Sequence, residues 1–243
     1  MKQEVAIIGY GRFGRVAARF LKKHFTVFVA DKKTNVRGEA GIKKLTVKEA
    51  AQKKTVILAV PINKLPTTLK AIRPYIKPGV LIIDVCSVKE QPVQWMKQYL
   101  PKDCSILGTH PLFGPDSVDK TLKAKSIVLC PVRISNVKLQ TIKLFLAKRG
   151  LNVYESSPRK HDQIMALTMF LTQFIGRSVW QLHLSHRTFT TVHYDMLTAL
   201  AEASGNDSLE LFKDMYRYNR FARTIPRRVR KQIQKLSSYL AET

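Results

Sequence analysis

The chain has 243 residues, enough for one large domain or two modest ones with their own cores. Its hydrophobic fraction of 45% is ordinary for a folded protein, and its formal net charge is +25. The longest apolar stretch, Ile164 to Leu184, is interrupted by Arg177 and several Thr and Gln side chains, and the N-terminus lacks a signal-peptide pattern, so we expect neither a transmembrane span nor secretion.

The first half of the chain alternates short apolar runs with amphipathic stretches, which predicts a parallel sheet with crossover helices. The predicted strands are Val5–Gly9, Thr26–Ala30, Thr55–Val60, Val80–Val85, Ser105–Thr109, Ser126–Leu129 and Asn152–Tyr154. The predicted helices are Gly11–Lys23, Thr46–Gln52, Ile62–Tyr75, Val88–Leu100 and Val137–Arg149. We therefore expect residues 1–155 to form a Rossmann-type, doubly wound α/β domain.

The second half of the chain shows no strand pattern after Ser156-Ser157-Pro158. The predicted helices are His161–Leu184, Tyr194–Ser204, Leu209–Arg217 and Pro226–Leu240. Such a short helical segment with one long apolar helix would pack poorly alone. We therefore predict that residues 156–243 form an all-helical domain that makes the protein a homodimer.

A glycine fingerprint, G-x-G-x-x-G, directly follows the first predicted strand and opens a helix. Gly9 permits the tight turn, Gly11 lets the backbone approach a pyrophosphate, and Gly14 lets helix and strand pack closely. The phosphates would lie at the helix N-terminus, where free N–H groups and the helix dipole favour anions. The predicted dinucleotide-binding residues of this turn are Gly9, Gly11, Arg12, Phe13 and Gly14.

Asp31 ends the second predicted strand, where a carboxylate would bond both ribose hydroxyls and repel a 2′-phosphate. This favours NAD over NADP, although Lys32 and Lys33 could each pair with a 2′-phosphate. Val60 ends the third predicted strand and Pro61 follows it, and both are expected to flank the adenine-side ribose. The alternative for Pro61 is that it merely ends the strand.

Ser87 and His110 follow the fourth and fifth predicted strands, at the carboxyl edge of the sheet where ligands collect. A histidine beside a nicotinamide can accept a proton from a substrate hydroxyl as hydride leaves the carbon. A neighbouring serine can orient the imidazole or bond the same oxygen. The alternatives are that His110 structures a loop and that Ser87 caps a helix, because Ser87-Val88-Lys89-Glu90 fits S-x-x-E.

These motifs together resemble the prephenate and arogenate dehydrogenase family of tyrosine biosynthesis. The resemblance extends over most of the chain, and G-T-H-P-x-x-G-P-D is its most specific string. Besides the glycine fingerprint it includes Asp84 to Lys89 (D-x-x-S-V-K), Gly108 to Asp116, His161-Asp162, Gln173 to Arg177 and Met215 to Asn219.

Membership would imply an NAD-dependent oxidative decarboxylation and no metal site. Hydride leaves the ring carbon that bears the 4-hydroxyl, and CO2 leaves the opposite ring carbon as the ring aromatises. On this resemblance His110 bonds the 4-hydroxyl, and Ser87 orients His110 or that hydroxyl. The sequence does not decide between prephenate and arogenate, and the chain is expected to be monofunctional.

One position departs from the family pattern. The helix near His161-Asp162 usually carries a further histidine facing the substrate, and that position is Gln173 here. An amide can donate a hydrogen bond to a carboxylate but cannot carry positive charge. Arg217 is the predicted residue for gripping a substrate carboxylate, because a guanidinium can do so bidentately; a plain surface arginine is the alternative.

The basic composition leaves other functions open. Residues 1–150 hold 29 of the 42 Lys and Arg residues, and residues 217–235 hold eight basic residues and no acidic one. A positive field would attract an anionic substrate, whereas a nucleic-acid-binding protein is a further alternative. Two more alternatives are a two-domain reductase for another hydroxy acid or imine and an inactive nucleotide-binding regulator. Three cysteines without C-x-x-C predict reduced thiols and a cytoplasmic location.

Overall fold

The computed structural model describes residues 2–32, 41–118, 121–184 and 187–242. Its strands are β1 (Glu4–Ile8), β2 (Thr26–Ala30), β3 (Ile42–Lys44), β4 (Thr55–Leu58), β5 (Leu81–Asp84), β6 (Ser105–Pro111), β7 (Ser126–Arg133) and β8 (Asn152–Glu155). Its α-helices are α1 (Arg12–Leu21), α2 (Val47–Ala51), α3 (Leu65–Ile72), α4 (Glu90–Tyr99), α5 (Asn136–Ala147), α6 (Pro158–Met165), α7 (Leu171–Trp180), α8 (Val192–Asn206), α9 (Leu209–Tyr218) and α10 (Ile225–Ala241).

The chain divides into two compact units, Met1–Pro158 and Arg159–Thr243. The first contains one sheet with the strand order β3-β2-β1-β4-β5-β6-β7-β8. The order reverses between β1 and β4, which is where a doubly wound sheet opens a crevice for a ligand. The predicted Rossmann-type fold followed by a helical part is confirmed.

The sheet differs from the predicted parallel arrangement at one edge. Strand β7 runs antiparallel to β6, and β8 is parallel to β7. The sequence pattern predicts a strand at this position but not its direction, because the pattern of apolar residues can be the same in a parallel and in an antiparallel strand. Strand β3 is also absent from the predicted set, since Ile42-Lys43-Lys44 is short and mostly polar.

Central strands of the sheet are buried on both faces, which explains why they consist almost entirely of Val, Ile, Leu and Ala. One core cluster joins β1 and β2 to α1 through Val5, Ile7, Val29 and Ala18. All three cysteines are buried thiols, and burial raises the pKa of Cys104.

The helical unit is built around a second core that includes Phe170, Met215 and Ile225. The predicted long helix is interrupted, because residues Ala166–Phe170 form a π-helical turn between α6 and α7. Helices α7 and α8 pack closely at Gly176, where a Cβ would lie 2.1 Å from the Ser204 hydroxyl. Among the described residues, every helix is too short or too polar to cross a membrane.

Candidate active site

The glycine turn between β1 and α1 is shaped by two close backbone approaches. Gly9 has φ +98°, and a Cβ there would lie 2.3 Å from the carbonyl oxygen of Ala59. A Cβ on Gly14 would lie 2.3 Å from the carbonyl oxygen of Gly9, so the helix can approach the turn only if this residue is glycine. Gly11 is different: no atom of the described residues lies within 4 Å of its Cβ position.

The N-terminus of α1 is suited to an anion. Gly11 is the N-cap, no side chain of the part of the chain that the structure describes caps the helix, and the first turn holds no acidic residue. Asp31, at the end of β2, accepts a hydrogen bond from the backbone N–H of Tyr10 at 2.7 Å. The predicted ribose carboxylate is thus held directly beside the turn.

The remaining predicted nucleotide residues lie around this turn. Val60 is half-buried, with its Cγ1 3.0 Å from the Cβ position of Gly9. Pro61 is exposed and begins the short 3-10 turn at residues 62–64, which gives it a structural role as well. Lys32 is exposed, whereas Lys33 lies outside the described residues.

Two contacts link the glycine turn to the loop after His110. Arg12 pairs with Asp116 through one guanidinium nitrogen, at 2.5 and 2.6 Å from the two carboxylate oxygens. Phe13 lies against Phe113, with the ring centroids 6.2 Å apart. The sequence does not predict this link, because a spacing of about a hundred residues leaves no local signal.

Ser87 and His110 lie at the same edge of the sheet. Asp84 pairs with Gly108 in the parallel ladder between β5 and β6, so both side chains lie just beyond that pair. His110 is 5% exposed and belongs to β6 itself, opposite Val128 of β7, so it lies in a strand and not in the loop after it. Ser87 is not the helix cap, since α4 begins at Glu90 with Lys89 as its N-cap.

Sequence reasoning missed a buried ionic pair at this edge. The side chains of Lys89 and Asp84 are both 0% exposed and bonded to each other. Both residues occur in the D-x-x-S-V-K string, but the pattern itself does not show that the lysine side chain turns inward.

In the helical unit, Gln173 takes part in a contact with the segment between α8 and α9. Its amide nitrogen donates to Asp207 Oδ2 at 2.7 Å, while its Oε1 is buried and has no hydrogen-bond partner among the described residues. Arg177 donates to the Asp207 carbonyl oxygen at 2.5 Å. Gln173 therefore has a structural contact within the helical unit, in addition to the substrate contact that the sequence predicts for it.

Arg217 lies at the end of α9 and faces a cavity of about 700 Å³ within the helical unit. The cavity has an aromatic wall and further basic groups; its lining is Phe170, Phe174, Phe212, Lys213, Asp214, Tyr216, Arg217, Arg223 and Pro226. Gln173 is not part of this described lining. Arg217 thus lies among aromatic rings and two further basic side chains, Lys213 and Arg223, with one acidic side chain, Asp214.

His161 and Asp162 form a buried pair rather than a helix start. Helix α6 begins at Pro158, and the His161 Nδ1 lies 2.8 Å from Asp162 Oδ1 with both side chains inaccessible. Asn219 donates to the carbonyl oxygen of Asp162 at 2.8 Å, which ties α6 to the end of α9.

The doubly wound sheet and the geometry of the glycine turn are those of a dinucleotide-binding α/β protein, here followed by a second, helical unit. Residues 17–155, more than half of the chain, match the sequence model of the prephenate dehydrogenase nucleotide-binding domain. Residues 179–243 match a second model, described as a TYRAAT1-like C-terminal domain. The chain belongs to the prephenate/arogenate dehydrogenase family.

Curated relatives agree with this assignment. The chain is 30% identical over 232 residues to a probable arogenate/prephenate dehydrogenase of Methanocaldococcus jannaschii, covering 88% of this chain and 52% of that protein. It is 30% identical over 231 residues to the chloroplastic arogenate dehydrogenase 1 of Arabidopsis thaliana, covering 88% of this chain and 36% of the other. The chain therefore spans about half or less of the length of these two relatives.

Solved structures show the same fold. Prephenate dehydrogenase from Aquifex aeolicus, in complex with hydroxyphenyl propionate and NAD+, superposes with a TM-score of 0.78 at 18% identity, covering 100% of this chain and 92% of that one. Synechocystis arogenate dehydrogenase gives a TM-score of 0.72 at 18% identity, covering 99% and 92%.

Proposed function

We propose that this chain is an NAD-dependent dehydrogenase that oxidatively decarboxylates prephenate to 4-hydroxyphenylpyruvate, or arogenate to tyrosine. The observation that carries the proposal is the placement of the glycine turn, Ser87 and His110 along one edge of a sheet in this family's fold. The assignment of NAD as the cofactor and the choice of substrate class rest on the named relatives and on the resemblance of the motifs.

The glycine turn fits a dinucleotide. Within the described ranges, Gly11 leaves open space at a helix N-terminus that no side chain caps, where a diphosphate would meet backbone N–H groups. Asp31 adjoins the turn and would bond ribose hydroxyls while repelling a 2′-phosphate, which favours NAD over NADP. When bound, the nicotinamide supplies the two-electron acceptor.

His110 and Ser87 supply the proton chemistry in this proposal. The imidazole of His110 accepts the proton of the substrate 4-hydroxyl as hydride leaves that ring carbon, and returns a proton to the phenolate oxygen formed when CO2 is lost. Ser87 orients that imidazole or the hydroxyl. Because aromatisation drives the loss of CO2, the protein mainly has to hold the reacting ring in place and accept one proton.

Substrate binding and assembly are assigned to the helical unit. Arg217 would grip a carboxylate bidentately, and Gln173 would donate a hydrogen bond where the family usually has histidine. Exposed apolar side chains of the helical unit, such as Phe189, 90% exposed, and Leu182, 67% exposed, both between α7 and α8, suit burial in a homodimer. We assign residues 1–155 to cofactor binding, residues 156–243 to substrate binding and dimerisation, and the protein to the cytoplasm.

Production of NADH by the purified protein tests the proposal, with prephenate and arogenate assayed in parallel. We expect turnover with at least one of them, with NAD preferred to NADP. His110→Gln is the matched control, since it keeps a polar side chain of similar size but cannot act as the base. Lack of turnover with both substrates, although NAD binds in a titration, would refute the activity and leave a nucleotide-binding role.

A further inference from the structure

Lys89 and Asp84 are fully buried next to the segments that carry Ser87 and His110. Their side chains are 0% exposed, and Lys89 Nζ donates to Asp84 Oδ1. Lysine is almost never fully buried unless it is paired, and removing two charges from water is costly. Well-packed apolar residues often replace such a pair without loss of stability, so the pair indicates a role beyond holding the fold together.

The same ammonium group also bonds the backbone beside His110. Lys89 Nζ donates to the carbonyl oxygen of Thr109 at 2.7 Å, in the peptide group that leads into His110. Thr109 Oγ1 in turn donates to the carbonyl oxygen of Asp84 at 2.6 Å. Two bonds besides those of the β-ladder therefore fix the main chain of His110 relative to the end of β5.

Asp84 extends this network toward Ser87. Its Oδ1 also accepts a hydrogen bond from the backbone N–H of Cys86 at 2.9 Å, in the bend that presents Ser87. Gly108 leaves room for the carboxylate, because a Cβ there would lie 3.3 Å from Asp84 Oδ2. One carboxylate thus contacts the bend before Ser87 and, through Lys89, the strand at His110.

We propose that Lys89 and Asp84 are positioning residues that set the spacing between the Ser87 hydroxyl and the His110 imidazole. Neither residue is assigned a contact with substrate or cofactor; each acts through the backbone of the residue that it holds. The inference rests on the proposed function for its kinetic consequence. A misplacement of a reacting group by about 1 Å can lower the rate on the order of 10²-fold.

The test compares Lys89→Met with the double variant Lys89→Met/Asp84→Asn. The single variant leaves a buried carboxylate uncompensated and should lower the melting temperature, whereas the double variant removes both charges and should regain most of it. We expect kcat to fall on the order of 10²-fold in both variants, with little change in the Kd for NAD. Lys143→Met is the control, since it breaks an exposed pair with Glu155 in the same unit and should keep kcat. If kcat recovers together with stability in the double variant, the pair is only structural and the proposal is wrong.

A second measurement does not depend on turnover. The imidazole proton resonances of His110, assigned by their loss in His110→Gln, report how well the ring is ordered. We expect one narrow set of signals in the unaltered protein and in Lys143→Met, and broadened or multiple signals in both Lys89 variants. Unchanged signals in both variants would overturn the proposal, whether or not the unaltered protein oxidises prephenate or arogenate. A lack of oxidation of both substrates would refute the proposed function alone.

Discussion

Gly9 and Gly11 are the first two glycines of the fingerprint, yet the structure predicts opposite effects on stability and NAD binding when each is replaced by alanine. Gly9 has φ +98°, and its Cβ would lie 2.3 Å from the Ala59 carbonyl oxygen. A left-handed conformation costs a non-glycine residue about 1–2 kcal/mol, and overpacking adds about 1–3 kcal/mol. Gly9→Ala should therefore lower the free energy of unfolding by about 2–5 kcal/mol, or the melting temperature by roughly 4–20 °C.

Gly11→Ala should leave the fold nearly unchanged. Its φ of −71° suits any residue, and none of the described residues comes within 4 Å of the added methyl group. The loss of a glycine N-cap costs at most about 1 kcal/mol. However, the methyl group occupies the space through which a diphosphate would approach the helix, and an overlap of about 1–3 kcal/mol against the ligand would raise the Kd for NAD about 5- to 150-fold.

Circular dichroism melts and NAD titrations on both variants test this contrast. Gly11→Ala serves as the control for stability, and the unaltered protein serves as the control for binding. If Gly11→Ala binds NAD as tightly as the unaltered protein, the diphosphate does not lie at this turn. If Gly9→Ala melts at the unaltered temperature, the close approach to Ala59 is not a constraint.

Three further predictions concern the remaining site residues. Asp31→Ser should narrow the preference for NAD over NADP by removing the repulsion of a 2′-phosphate, and titrations in which the unaltered protein binds NADP equally well would contradict this assignment. His110→Ala should lower kcat by about 10²–10⁴-fold with little effect on NAD affinity, whereas near-normal turnover would make His110 structural. In the Gln173→His variant the KM for prephenate should decrease as the pH falls through about 6.5, because the added imidazole becomes cationic. Parallel KM profiles from about pH 5.5 to 8, with a lower melting temperature for the variant, would limit Gln173 to its contact with Asp207.

Local sequence patterns were sufficient to predict the fold class and to place the candidate site residues Ser87 and His110 at one edge of the sheet. The run of apolar strands and the glycine fingerprint predict a doubly wound sheet, because burial on both faces and a tight turn each demand particular residue types. Ser87 and His110 could be placed at one edge from their positions after parallel strands. These features depend on residues close together in the chain, which is why a pattern shows them.

The tertiary structure decided what depends on distant residues. The antiparallel direction of β7, the pairing of Arg12 with Asp116 and the bond from Gln173 to Asp207 each join segments whose spacing carries no periodic signal. The burial of Lys89 is the clearest case. A lysine before a helix is expected at the surface, whereas the carboxylate of Asp84 and the carbonyl of Thr109 make the burial of Lys89 tolerable. The sequence by itself determined which elements form, whereas the packing of those elements determined which polar groups meet.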